Sequence, residues 1–325
     1  METVELRPLS LGELLDRTFN LYRNHFWLFV CIMAVPSAFT IPANVLLLSF
    51  QGSMMNSIAT NPGRPPVVPS PSFIGGIFLG YFAFMIIFLI VYSISVAAAT
   101  SAVADVYLGR AATVRGAYSK VRGKFWRLIG VIINIALRIF GLLLLVVAIA
   151  GGAAVAIAAA GGAGGNVALA VVMVLFIIVA YIGAAVLCVY LALRYAVSIP
   201  VLILENTEIL ATIRRSVFLT RGRRGHIFLT LLVAAVIAYA GIALFQGPFI
   251  VATMMAAIRG HWPPWLAFAS SVSGAVGSAL TGPISMIAIV LLYYDARIRK
   301  EAFDLQFMMS SLDSSAPAAG TVSPA

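Results

Sequence analysis

The chain has 325 residues, of which 62% are hydrophobic and only 10% are charged. Soluble globular domains carry about 25% charged residues, so this composition excludes an ordinary soluble domain and indicates an integral membrane protein. The net charge of +10 does not indicate nucleic-acid binding, because the basic residues lie in short segments between apolar runs and form no separate basic domain.

A short basic segment occurs twice and organises the chain. It reads TVRGAYSKVRG at residues 113–123 and TIRRSVFLTRG at residues 212–222, and matching residues differ in number by 212 − 113 = 99. A looser copy lies another 99 residues earlier, at residues 14–24. Each copy precedes a long apolar run. We therefore predict three units, each a cytoplasmic amphipathic or basic helix followed by a membrane-spanning hairpin.

The N-terminal copy predicts an amphipathic helix within residues 1–25. Ser10 and Glu13 have the spacing of a capping box, in which each side chain accepts a hydrogen bond from the other residue's backbone N–H. Apolar residues follow at helical spacing, while Glu13 and Asp16 fall largely on the opposite side. The helix either lies on the membrane surface or packs against cytoplasmic segments of the same chain.

Six apolar stretches are long enough to cross a hydrocarbon core of about 30 Å. They cover residues 26–50, 73–108, 125–160, 167–193, 227–255 and 267–293 approximately. With a cytoplasmic helical extension after the last span they give a predicted transmembrane domain at residues 26–309. A low-complexity tail at residues 310–325 is expected to be disordered. The predicted fold is all-α and polytopic, with six transmembrane helices in three hairpin units.

Asn134 and Arg138 interrupt the third apolar stretch, which is too long for one simple span. If the helix enters the bilayer near Leu128, Arg138 is buried among other helices. If the segment up to Arg138 lies at the interface, the span runs from residue 139 to 159. We favour the second interpretation because it needs no buried charge.

The basic residues divide unequally between the two sides of the predicted membrane. Of the 21 Lys and Arg residues, three precede span 1, six lie between spans 2 and 3, six between spans 4 and 5, and three follow span 6. The opposite loops hold only Arg64 and Arg259. Because Lys and Arg are enriched on the cytoplasmic side, both termini are predicted to be cytoplasmic.

The basic residues of the two middle loops are predicted to contact anionic lipid headgroups. Each Lys or Arg near such a surface contributes about 1 kcal/mol. The candidates are Arg115, Lys120, Arg122, Lys124, Arg214, Arg215, Arg221, Arg223 and Arg224. The expected partners are therefore membrane lipids, with other membrane proteins as a second class.

The extension after the last span contains helical charge pairs at i, i+4. They are Asp295 with Arg299, Arg297 with Glu301, and Lys300 with Asp304. We predict a structural role for a set of residues in the N-terminal, middle and C-terminal motifs. The set is Ser10, Glu13, Asp16, Glu205, Asp295, Arg297 and Arg299.

Three motifs together resemble a known family. They are RPLSLGELLDRTFNLYRNHF at the start, IPVLILEN followed by ATIRRSVFLTRG in the middle, and YYDARIRKEAFDL near the end. In these the chain is similar to the membrane domain of the glycerophosphoryl diester phosphodiesterase group, bacterial proteins with six helices. The resemblance implies a helical fold in the bacterial cytoplasmic membrane. It does not imply phosphodiesterase chemistry, because the sequence contains no catalytic barrel.

Catalytic motifs are absent from the sequence. It contains no GxSxG, Walker A, HExxH or CxxC motif, so we expect no enzymatic activity, metal or cofactor. The predicted function is accessory, anchoring or lipid-interacting, of the scaffold type. The alternative is a transporter or channel for a small or lipidic solute, with Arg138 and Asn134 as its intramembrane polar groups.

Overall fold

Long apolar runs form helices because a chain in hydrocarbon must satisfy its backbone N–H and C=O groups within its own segment. The structure, a computed structural model, describes residues 8–60, 71–161, 167–259 and 263–302. Within these ranges it consists of helices joined by short turns, and no strand occurs in them.

The described residues form ten helices. They are α1 (Leu11–Asn24), α2 (Phe26–Thr60), α3 (Pro71–Tyr107), α4 (Val114–Arg122), α5 (Phe125–Gly161), α6 (Val167–Tyr195), α7 (Ser198–Glu205), α8 (Ile209–Thr220), α9 (Arg224–Ile258) and α10 (Pro264–Glu301). Six of them, α2, α3, α5, α6, α9 and α10, contain apolar segments long enough to cross a membrane. The all-α class and the six predicted spans are thereby confirmed, and the protein is a multi-pass membrane protein.

The helices follow the 99-residue repeat closely. α2, α5 and α9 begin at Phe26, Phe125 and Arg224, a spacing of 99 residues each time (125 − 26 and 224 − 125). The short helices before them also bury equivalent positions, 18, 117 and 216, where a Thr, an Ala and a Ser are buried. The repeat visible in the sequence therefore describes both the helix starts and the buried face.

The chain divides into two compact units. Unit 1 consists of the described residues within 1–118 and 229–325. In it α10 packs against α1, α2 and α3. Its fully buried side chains include Phe29 on α2, Val103 on α3 and Tyr293 on α10, so α10 lies in the middle of this unit's core.

Unit 2 consists of residues 119–228 and contains α5, α6, α7 and α8. α5 packs along α6, and α8 packs against both of them. The core of this contact is formed by Leu191 and Tyr195 of α6 and Ile213 of α8, surrounded by partly buried side chains of α5 and α8. α7, which the sequence did not predict, packs against α5 and α8.

The short helices pack against spans that precede them in the repeat order. α8 packs against α5 and α6, which come before it in the chain. Tyr118 on α4 donates a hydrogen bond to the carbonyl oxygen of Ile32 on α2 (2.9 Å) and lies 3.0 Å from the hydroxyl of Ser95 on α3. α1, which has no preceding spans, packs against α10 at the other end of the chain.

Consecutive long helices also contact each other. The rings of Phe39 on α2 and Phe84 on α3 are stacked at 5.2 Å, and Ser273 on α10 donates to the carbonyl oxygen of Phe245 on α9 at 2.7 Å. The residues between the two helices of each predicted hairpin, 61–70, 162–166 and 260–262, lie outside the described residues. The hairpin units therefore stay a prediction, as do the domain limits at residues 25 and 309 and the tail at 310–325.

Candidate functional site

The N-terminal segment is held by the end of α10. The backbone N–H of Leu9 donates to Oδ1 of Asp295 at 2.9 Å, and Nε of Arg299 donates to the same oxygen at 2.9 Å. Nη2 of Arg299 also donates to the carbonyl oxygen of Leu9 at 2.7 Å. Leu9 and Asp295 are only 2% and 3% exposed. We call Leu9, Asp295 and Arg299 the clasp, because they join the start of the chain to its last described helix.

The clasp leads directly into the capping box of α1, which is present as predicted. The backbone N–H of Glu13 donates to the hydroxyl of Ser10 (3.3 Å), and the backbone N–H of Ser10 donates to the Glu13 carboxylate (2.8 Å). Asp16 is exposed on the same helix. The first turn of α1 is therefore fixed both by its own side chains and by α10.

Replacing Ser10 by alanine should cost about 1 kcal/mol of stability in the first turn of α1, because the Glu13 N–H loses its acceptor. Hydrogen exchange of that amide should then become about five times faster. Ser10→Asp is the matched control, since aspartate is an equally good N-cap. Equal exchange rates in wild type and Ser10→Ala would show that the clasp alone fixes this turn.

Two further contacts attach α1 to the other helices of unit 1. Nη1 of Arg17 donates to the hydroxyl of Tyr107 at 3.1 Å, and the ring of Tyr107 lies 5.1 Å from that of Tyr294 on α10. The hydroxyl of Tyr22 donates to the carbonyl oxygen of Leu280. Burial raises the pKa of the Tyr22 phenol, so the group keeps the proton that it donates.

The C-terminal charge pairs are also present where the structure describes both partners. Arg299 pairs with Asp295 at 2.9 Å, and Arg297 pairs with Glu301 at 3.2 Å. The third predicted pair, Lys300 with Asp304, lies partly outside the described residues.

At least three of the nine predicted lipid contacts, Lys124, Arg215 and Arg224, bind other parts of unit 2. Nζ of Lys124 donates to the carbonyl oxygen of Ile203 near the end of α7 at 2.6 Å. Arg215 donates to both carboxylate oxygens of Glu205, at 2.7 and 3.3 Å. Burial, with a smaller contribution from nearby Arg127, lowers the pKa of Lys124. Lys124 and the Arg215–Glu205 pair therefore fix α7 between α5 and α8.

The third of these residues, Arg224, is held by an aromatic side chain. Its guanidinium carbon lies 4.7 Å from the centre of the Tyr190 ring, and its Nη1 donates to the Tyr190 hydroxyl at 3.0 Å. A guanidinium over an aromatic face gains cation–π attraction. Arg224 therefore attaches the start of α9 to α6 within unit 2.

The other predicted lipid contacts are more exposed. Arg115, Lys120, Arg122, Arg214 and Arg221 are exposed, and Arg223 is half-buried. Among the residues that the structure describes, Arg115, Arg122 and Arg214 have no ion-pair or hydrogen-bonding partner. These three guanidinium groups are therefore open to a ligand.

The exposed face of α8 combines apolar and basic side chains. Leu210 and Phe218, on either side of Arg214 at a spacing of four residues, are 56% and 51% exposed. The opposite face of the helix buries Thr212, Ser216 and other small or apolar side chains. Large apolar side chains beside arginine on an outward face are typical of a helix at a lipid–water interface.

Arg138 lies beside the last residue of α6. Its side chain is exposed, and its Nη1 donates to the hydroxyl of Tyr195 at 3.3 Å. Since α6 ends at Tyr195, this contact puts Arg138 level with the end of α6. The part of α5 beyond it, residues 139–161, is about 35 Å long, enough to cross a hydrocarbon core of about 30 Å. The segment Phe125–Val146, which includes Arg138, is also long and apolar enough to cross a membrane, so both interpretations of this helix stay predictions.

Asn134 precedes Arg138 by one helical turn. Its Oδ1 is buried and has no hydrogen-bonding partner among the described residues. The sequence singled out Asn134 and Arg138 as candidate polar groups. It did not single out Tyr195, which accepts a hydrogen bond from Arg138, or Arg194, which precedes Tyr195. The spacing of YLALRY at the end of α6, with two tyrosines and an arginine in six residues, was the available signal.

Comparison with known families agrees with this architecture. Residues 169–310 match a family model described as the membrane domain of glycerophosphoryl diester phosphodiesterase. The resemblance found from the motifs is confirmed over this range, which contains α8 and the α10 half of the clasp. The model concerns the membrane part of an enzyme family, so the match leaves the catalytic state of this chain untested. No match was found among curated proteins or among solved structures.

Proposed function

We propose that this multi-pass membrane protein is a non-catalytic scaffold that binds anionic lipids and anchors other membrane proteins. Its location is the bacterial cytoplasmic membrane, with both termini on the cytoplasmic side. The uneven division of Lys and Arg between the loops supports this orientation.

The exposed face of α8 is the observation that carries the proposal. Leu210, Arg214 and Phe218 share this face, and Arg214 has no partner in the described part of the chain. A helix with this face gains free energy at an anionic surface in two ways. The apolar side chains enter the acyl boundary, and the guanidinium meets the phosphate layer.

We expect anionic lipid enrichment around the protein to depend on Arg115, Arg122, Arg214 and Arg221. All four are exposed, and each contact is worth about 1 kcal/mol, or about fivefold in lipid preference. The test purifies the wild type and a variant with all four changed to glutamine from membranes of phosphatidylglycerol and phosphatidylcholine. The ratio of the two lipids retained per protein is then measured by mass spectrometry, and the variant should retain severalfold less phosphatidylglycerol.

Arg259→Gln is the matched control. This arginine is also exposed but lies in a loop predicted to be on the opposite side of the membrane. Its replacement should leave the lipid ratio unchanged. If the four-arginine variant retained as much phosphatidylglycerol as the wild type, the lipid-binding part of the proposal would be wrong.

A further inference from the structure

Two arginines approach the same buried tyrosine in unit 2. The guanidinium carbons of Arg138 and Arg194 lie 6.0 and 5.9 Å from the centre of the Tyr195 ring, and Tyr195 itself is only 7% exposed. The ring lies in the core between α5, α6 and α8, and because both guanidinium groups contact it, they are at most about 12 Å apart. Positive charge is therefore concentrated at the end of α6.

No carboxylate of the described residues pairs with these two arginines. Within the described part of the chain, neither Arg138 nor Arg194 forms an ion pair, and Nε of Arg194 is buried without a hydrogen-bonding partner. A buried donor without an acceptor costs free energy, and the cost is removed when a ligand supplies the acceptor. Guanidinium groups with open N–H donors match the oxygens of a phosphate.

An apolar crevice begins next to the two arginines. It is an open, shallow groove between α5 and α6, lined by Leu142, Leu143, Val146, Ala184, Leu187 and Cys188. Leu142 is one helical turn beyond Arg138, and Cys188 is about two turns before Tyr195, on the side of the predicted hydrocarbon core. The two arginines at the end of α6 and the apolar crevice between α5 and α6 therefore lie next to each other in unit 2.

The repeat shows that the fold does not require these two charges. The positions 99 residues before and after Arg138 hold Phe39 and Ile237, and those equivalent to Arg194 hold Ser95 and Tyr293. Only the middle repeat carries an arginine at either position. The pair is therefore an addition to the repeated architecture, and a specific ligand accounts for it better than helix packing does.

We propose that unit 2 binds one anionic phospholipid, with its phosphate at Arg138 and Arg194 and one acyl chain in the crevice between α5 and α6. This inference deepens the proposed function by assigning a defined lipid to one site. It is distinct from the looser contacts of the exposed arginines on α4, on α8 and directly after α8. Charge complementarity selects the headgroup, and the adjoining apolar lining selects a lipid over a soluble phosphate.

Native mass spectrometry of the full chain in mild detergent, titrated with phosphatidylglycerol, tests the proposal. The wild type should bind one phosphatidylglycerol at least ten times more tightly than any further one and more tightly than phosphatidylcholine. Arg138→Gln with Arg194→Gln should weaken this first binding step at least tenfold. An unchanged first step in a monodisperse, helical double variant would overturn the proposal.

A second variant keeps the test valid if the double variant does not fold. Val146→Trp fills the crevice and leaves both arginines in place, so it should weaken the first phosphatidylglycerol severalfold. Binding that is unaffected by Val146→Trp would contradict the assignment of the acyl chain.

Two comparisons identify the source of the phosphate and separate this proposal from the previous one. Inorganic phosphate at millimolar concentration should not displace the first lipid, and displacement would indicate a soluble phosphate ligand instead. The four-arginine variant described above should keep the first tight lipid while losing weaker ones. The assignment would be overturned if the four-arginine variant lost the first lipid while Arg138→Gln/Arg194→Gln kept it. The tight site would then lie at the exposed arginines.

Discussion

Replacing Asp295 by alanine is expected to lower the free energy of unfolding by about 3 kcal/mol. The carboxylate is almost fully buried and accepts hydrogen bonds from the Leu9 backbone and from Arg299. Its removal leaves a buried N–H and a partly buried guanidinium without their acceptor, and breaking a buried pair costs about 3–5 kcal/mol. We take the lower end because Arg299 retains 29% side-chain exposure, so that water screens part of its charge.

Thermal unfolding in mild detergent measures this effect, and the melting temperature should fall by roughly 6 °C or more. Limited proteolysis should also cut the variant before α1 more readily, because Leu9 loses one of its two hydrogen bonds to α10. Glu301→Gln is the control on the same helix. It removes the i, i+4 pair with Arg297 and should cost about 0.5 kcal/mol. Equal melting temperatures for the two variants would mean that the clasp does not stabilise unit 1.

A leucine at Gly277 is expected to separate α9 from α10 and to destabilise unit 1 by about 1–3 kcal/mol. A Cβ atom at this buried position would lie 3.3 Å from Cβ of Phe245 and 3.4 Å from Cα of Ile242. The second distance is to backbone, which cannot move without shifting the whole helix. The Ser273 hydrogen bond to Phe245 would be strained by the same shift.

The effect should be graded with side-chain size. Gly277→Ala should be tolerated better than Gly277→Leu, because its single added carbon needs neighbours to move by only a few tenths of an ångström. Gly80→Leu on α3 is the control, since a Cβ there meets nothing within 4 Å. Melting temperature and monodispersity in detergent are the measurements. If Gly80→Leu were as damaging as Gly277→Leu, close packing of α9 and α10 would not explain the loss.

Most ends of the long helices were predictable within a few residues because hydrophobic length is a local property, but α2 continues to Thr60, ten residues beyond the predicted end of span 1 at residue 50. The third apolar stretch was predicted at residues 125–160, and α5 covers Phe125–Gly161. The capping box of α1 and the Asp295–Arg299 pair were predictable for the same reason, since their partners lie within one helical turn. The hydrogen bond from Leu9 to Asp295 was not, because it joins residues 286 positions apart.

The candidate site was only half predictable. Charge inside an apolar run marked Arg138, but its partner Tyr195 is 57 residues away and was set by the packing of α5 on α6. The sequence also predicted the same lipid contact for nine basic residues. In the structure Lys124 donates to a carbonyl oxygen near the end of α7, and Arg215 donates to a carboxylate of its own unit. Such differences depend on which groups meet in space, so no sequence pattern contains them.

The clasp also determines when the protein can finish folding during its synthesis. α1 is made well before its partner, because Asp295 follows Leu9 by 286 residues. At about 5–20 residues per second the ribosome needs roughly 15–60 s to cover that distance. Throughout this time the face of α1 that buries Leu14 and Thr18 lacks α10. α1 is thus held by a helix made much later, and a chain that stops before α10 leaves this face of α1 uncovered.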